Sequence, residues 1–129
     1  MICVDTSVWV AALDDATGSE ARHLARLMRM DAMVLPSPVR IELLSGASRT
    51  GLATLQERLS ALPQVVPDEE TWDRIEGWLE TAIAAGQRFA LADLLIAATA
   101  AERGASVWTL DADFERMPKL GYVELYAVP

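Results

Sequence analysis

Two carboxylates, Asp111 and Asp113, stand two residues apart in TLDADF (109–114), directly after the apolar run ASVW (105–108). Three more acids also border apolar sequence. Asp5 closes ICVD (2–5), Glu42 sits between Ile41 and Leu43, and Asp93 lies near the start of ADLLIAATA (92–100). Other acids, among them Glu57, Asp68, Glu69, Glu70, Asp73, Glu76 and Glu80, fall on helix faces or in first turns, where water or the helix dipole suits them. Carboxylates gathered within about 5 Å repel one another, and one takes up a proton unless a cation neutralises the group. All-oxygen donors favour a hard ion such as Mg²⁺ or Mn²⁺. Zinc prefers His or Cys, of which the chain has only His23 and Cys3. Simpler roles stay open at this point: Asp5 and Asp93 as helix N-caps, Asp111 and Asp113 as turn residues.

Whether these acids meet depends on the elements that carry them. Short apolar stretches at 2–5, 33–36 (MVLP), 64–66 (QVV), 105–109 (ASVWT) and 122–126 (YVELY) read as strands. Between them the spacing predicts helices. TSVWVAAL has Thr6 or Ser7 near its cap, and 19–30 carries Ala21, Leu24, Ala25 and Met28 on one stripe. Pro38 opens PVRIELLSGA, and a further helix covers 52–62. Pro67 opens a long helix with Trp72, Ile75, Leu79, Ala82 and Ile83 on one stripe, ended by Gly86, and ADLLIAATAAERG is the last. Strands alternating with helices imply an α/β fold with a parallel sheet covered on both faces. Such folds bind ligands at the carboxyl edge of the sheet, where Asp5, Asp111 and Asp113 would emerge and which Glu42 can reach. Asp93 does not follow a strand, so its place there is a separate assumption.

Length and composition set the outer bounds. A chain of 129 residues with 52% hydrophobic and 23% charged residues is expected to form one domain with a real core. Net charge is −8, from 19 acids and 11 bases, which argues against non-specific coating of nucleic acid and suits a basic partner. All the bases but Lys119 are arginines, able to grip phosphate with a bidentate fork. With no signal peptide, no apolar run near the ~20 residues that span a bilayer, and a lone Cys3, a cytoplasmic protein is expected.

The stretches VDTSVW (4–9), RIELLSG (40–46), ADLLIAATA (92–100) and TLDADF (109–114), in this order and spacing, resemble the PIN domain and, within it, VapC-type toxins of bacterial toxin–antitoxin pairs. The resemblance covers essentially the whole chain. It implies a single PIN-like domain over 1–129, with three α/β/α layers and a short parallel five-stranded sheet. It also implies a ribonuclease dependent on Mg²⁺, with Mn²⁺ able to substitute, in which metal-activated water hydrolyses RNA to leave a 5′-phosphate and a 3′-hydroxyl. The family's catalytic acids fall on Asp5, Glu42, Asp93 and Asp111. Asp113 matches an assisting metal ligand, and Ser7 and Thr109 match residues that orient carboxylates or water. A VapB-type antitoxin, able to push an Arg or Lys toward the acids, and a homodimer are implied as well; Trp72, Trp78 and the 28–33 region offer apolar surface for the latter.

Arg40 and Arg88 lie near Glu42 and Asp93 in sequence and are candidates to touch phosphate or to pair with a site carboxylate. Arg22, Arg26 and Arg29 form either a solvated helix face or a surface for RNA or a partner. His23 reads as a surface residue, and the four tryptophans as packing residues. Among rivals, a phosphatase with a DxDx(T/V) nucleophile needs Thr or Val where Phe114 stands, and after the first strand rather than the fourth. A phospho-receiver needs an acid pair after the first strand, where Asp5 is alone. A PIN-like module that only binds a partner is disfavoured by the complete acid set.

Overall fold

The apolar triplet Ile2–Val4 forms strand β1, which lies between β2 (Met33–Pro36) and β4 (Ser106–Trp108), while β3 (Gln64–Val65) pairs beyond β2. The order is β3-β2-β1-β4 and every pairing is parallel, with Cys3 opposite Val34 on one side and Val107 on the other. This computed structural model describes residues 1–129. Cys3, Val4, Leu35 and Val107 have no exposed surface, as continuous apolar strands covered on both faces require. The chain winds outward from β1 to β2 to β3, then crosses back to the far side of β1 for β4. That reversal puts a switch point at the carboxyl ends of β1 and β4, the place where folds of this kind bind ligands.

Six helices flank the sheet: α1 (Thr6–Asp14), α2 (Ser19–Arg29), α3 (Ser37–Ser45), α4 (Leu52–Ser60), α5 (Glu69–Ala84) and α6 (Leu91–Glu102). Two short 3-10 turns follow β4, at Ala112–Arg116 and Pro118–Leu120. α6 lies across β1, β2 and β4 and also meets α3 and α5. Its Ile96, Ala97, Ala98 and Ala100 are fully buried, and alanine lets the helix axis approach the strands closely. The buried Thr99 hydroxyl is satisfied inside the helix by the carbonyls of Leu95 and Ile96, both at 2.9 Å. Gly104, at φ 61°, then turns the chain into β4 in a conformation that favours glycine.

Five expectations are corrected. The segment 122–126 is not a fifth strand. It meets the sheet by one parallel bridge, Val107 with Leu125, because Tyr122 is drawn to α5, where its ring stacks on Trp78 at 4.2 Å. α5 is capped by Asp68, in a reciprocal box with Thr71, rather than opened by Pro67. Its inward residues are Thr71, Ile75 and Ala82, leaving Trp72, Leu79 and Ile83 exposed. In α2 the buried pair is Leu24 and Leu27, and Met28 faces outward. His23 is half-buried, bonded through Nε2 to the Tyr126 hydroxyl at 2.8 Å and set edge-on to Trp108. It ties α2 to the edge of the sheet rather than lying free on the surface.

Because α6 touches three strands through small side chains, enlarging one should disturb the sheet. Ala97→Leu is expected to destabilise the fold by about 1–3 kcal/mol in urea unfolding. An unchanged midpoint would mean that the helix is not held close.

Candidate metal centre

Asp5 follows the carboxyl end of β1 and is 4% exposed. Its Oδ2 accepts hydrogen bonds from Ser7 Oγ (2.7 Å), Thr109 Oγ1 (2.8 Å) and, more weakly, the Ser7 amide (3.4 Å). The same contacts make it the N-cap of α1. Thr109 follows β4 directly, so the register that sets Val4 beside Trp108 also sets Thr109 beside Asp5. The two hydroxyls extend the network onto the next loop: Leu110 N donates to Ser7 Oγ at 3.0 Å, and Asp111 N donates to Thr109 Oγ1 at 3.0 Å. Asp111 in turn caps the first 3-10 turn, its Oδ1 accepting from Asp113 N at 2.9 Å. Capping and clustering are therefore not alternatives for Asp5 and Asp111. Asp111 caps its turn and also belongs to the group of acids, while Asp5 caps α1 through Oδ2 alone.

Asp93 caps nothing, since the N-cap of α6 is Ala90. It lies in the first turn of α6, and one oxygen each of Asp93, Asp111 and Asp113 can be placed within 4.8 Å of one another. Glu42, exposed on α3, has its Oε1 held at 2.9 Å by the hydroxyl of Thr6, the neighbour of Asp5. Burial raises the Asp93 pKa first. The charges of Asp111, Asp5, Asp113 and Glu42 add to it, in that order, and together they push it up to about 6. Asp5 and Glu42 stand outside the group of three oxygens and act on Asp93 through their charge. The donors are oxygens throughout, which fits a hard divalent cation; Cys3 is buried, and burial followed by Asp5 pushes its thiol far above the usual range.

The arginines are arranged less simply. Arg40 is directed to α4, where Nη2 reaches Ser60 Oγ at 3.1 Å and the Gln56 carbonyl at 3.4 Å. Arg88 is exposed on the connection between α5 and α6. The base beside the acids is one that sequence spacing had not singled out: Arg116, with Nη2 3.9 Å from Asp113 Oδ1. The available signal was its position three residues after Asp113, because i and i+3 eclipse on a 3-10 turn.

The raised Asp93 pKa has a consequence for stability. Folded metal-free protein holds this proton more tightly than the unfolded chain does, whose value is near the ordinary 3.8. The group's contribution is therefore greatest below about pH 4 and is lost as pH rises toward 6. Thermal melts from pH 4 to 7 should show wild type losing stability across that window relative to Asp93→Asn. Parallel profiles for the two proteins would contradict the raised pKa.

Residues 2–120 match the PIN domain family. Ribonuclease VapC11 of Mycobacterium tuberculosis (strain ATCC 25618 / H37Rv) is 36% identical over 126 residues, covering 93% of both chains. Ribonuclease VapC18 of the same strain is 33% identical over 122 residues, covering 91% of this chain and 87% of that one. A solved DNA-bound VapBC from Salmonella typhimurium shares the fold at a TM-score of 0.81 and 21% identity, over 97% of this chain and 96% of that one. By the extent of the family match and by its kinship to these ribonucleases, the chain belongs to the PIN-domain family, in its VapC branch.

Proposed function

We propose that the chain is the toxin of a VapBC-type pair: a ribonuclease that hydrolyses RNA phosphodiester bonds, with Mg²⁺ or Mn²⁺ held by Asp5, Glu42, Asp93, Asp111 and Asp113. The observation that carries this reading is the group of Asp93, Asp111 and Asp113, each offering an oxygen within 4.8 Å of the others, with Asp5 and Glu42 near enough for their charges to act on Asp93; a divalent ion would relieve that repulsion. When bound, such an ion supplies an acidified water and neutralises charge on the leaving oxygen. The chain's own residues prepare the place. Ser7 and Thr109 fix the Asp5 carboxylate in one orientation, and Thr6 does the same for Glu42. Burial and the neighbouring acids push the Asp93 pKa up to about 6, which favours a bound cation beside it. Arg88, exposed near α6, serves as a phosphate contact, while Arg40 keeps α3 against α4.

The partner is a VapB-type antitoxin. The likeness to VapBC complexes supports it, and so does an acidic site that would accept a basic side chain from such a partner. The chain acts as a single PIN-like domain in the cytoplasm; no helix is long and apolar enough to cross a membrane. Exposed Trp72, Leu79 and Ile83 on α5, and Met28 and Met30 at the end of α2, are apolar surfaces open to a second copy.

Cleavage of RNA in Mg²⁺ or Mn²⁺, abolished by EDTA, tests the proposal. Asp5→Asn and Asp93→Asn should each lower the rate by more than about a hundredfold while leaving the fold intact. Ser7→Ala, which removes only an orienting contact, should cost roughly ten- to a hundredfold. Equal turnover in all four proteins would remove the mechanism, and a wild type inert toward RNA would leave a module that only binds its partner.

A further inference from the structure

Beside the acids, on the side of the two 3-10 turns, lies a groove of about 380 Å³ lined by Ala85, Gln87, Glu115, Arg116, Lys119 and Leu120. We infer that Arg116 and Lys119 in this groove bind a phosphate of the RNA strand adjacent to the one being cut, an inference that rests on the ribonuclease reading above.

Arg116 is held on three sides. Its Nη1 donates to Gln87 Oε1 at 2.6 Å, its Cζ sits 4.3 Å from the centre of the Phe89 ring, and Nη2 is 3.9 Å from Asp113 Oδ1. The contact with Asp113 is beyond hydrogen-bond length and joins two solvent-accessible side chains, so it holds the guanidinium weakly. The close restraints are a neutral amide and an aromatic face. They fix the cation without neutralising it, and four of its five N–H donors stay available. A planar fork held in place, with most donors unspent, is suited to a phosphate.

Lys119, the chain's only lysine, is exposed on the same groove and adds a second positive charge. Gln87 also lines the adjoining cavity that contains Arg88, so three bases follow one another along this side of the molecule. Their position answers an electrostatic need. A chain of net charge −8 with Asp93, Asp111 and Asp113 grouped together repels RNA, and local bases must offset that repulsion near the point of cleavage. Asp113 stands between the two places, paired with Arg116 on one side and grouped with Asp93 and Asp111 on the other. A phosphate at Arg116 would thus be separated from the acids by the Asp113 carboxylate. Glu115, exposed at the groove, is the opposing charge.

The test is binding of a short fluorescein-labelled single-stranded RNA of mixed sequence, followed by anisotropy. Ca²⁺ replaces Mg²⁺, since its looser coordination ill suits the cleavage step. Salt is varied between about 50 and 200 mM. Lys119→Ala and Arg116→Gln should each weaken binding several-fold and flatten the slope of log Kd against log salt by about 0.7. Glu115→Gln should tighten binding. Lys119 and Glu115 are exposed, so those variants stand even if Arg116→Gln folds poorly. Unchanged affinity and slope in Lys119→Ala, together with no gain in Glu115→Gln, would overturn the subsite. If that result came with normal cleavage by wild type in Mg²⁺, only the subsite would fall. If wild type cut no RNA in Mg²⁺ or Mn²⁺, the ribonuclease reading would fail first and the subsite with it.

Discussion

Like charges crowded at the end of a sheet are the condition to which this structure answers. Asp93, Asp111 and Asp113 group near the reversal point, and Asp5 joins their surroundings because β1 and β4 are neighbours in space, although Asp5 and Thr109 are 104 residues apart in the chain. Hydroxyls and amides hold carboxylate oxygens of Asp5, Glu42 and Asp111, and one base, Arg116, stands 3.9 Å from Asp113. Ser7, Thr109 and the amide of Asp113 hold carboxylate oxygens, and each bond made to the charged form lessens the strain of keeping it charged. Asp93 has no such donor. It is half-buried and grouped with Asp111 and Asp113, so burial first and the neighbouring charges second raise its pKa. A cation bound to the group would act directly on that residue.

The surrounding fold is economical about precision. α6 carries Asp93 and is the helix in closest contact with the sheet, through alanines that leave little room for the axis to shift. β1 and β4 deliver Asp5 and Thr109 in fixed register. The 3-10 turn after β4 delivers Asp111 and Asp113 with Arg116 already aligned on the same face. Strand β1, helices α3 and α6 and the 3-10 turn after β4 therefore place the acids, and the same turn carries Arg116.

Much of this was legible in the sequence, and the parts that were not have a common cause. Short apolar runs such as ICV, MVLP and SVW announce buried parallel strands because nothing else buries so small a segment on both sides. YVELY looked alike, yet its first residue is captured by Trp78, 44 residues away, and only a single bridge remains. Helix α5 has apolar residues on more than one face, so periodicity did not tell which face would be covered. The acids stood out by type, spacing and resemblance. Arg116 did not, because its environment is made by Gln87 and Phe89, distant in sequence and unmarked by any repeat. Local pattern reveals what a segment is; which side chain it meets across the fold is fixed only by packing.

The most direct test of the central claim is calorimetric titration of Mn²⁺ into metal-free protein. Saturable binding is predicted in wild type, weakened by roughly tenfold or more in Asp93→Asn and Asp111→Asn. Glu57→Gln, exposed on α4, should match wild type. No saturable binding, or the same affinity in all four proteins, would contradict the account.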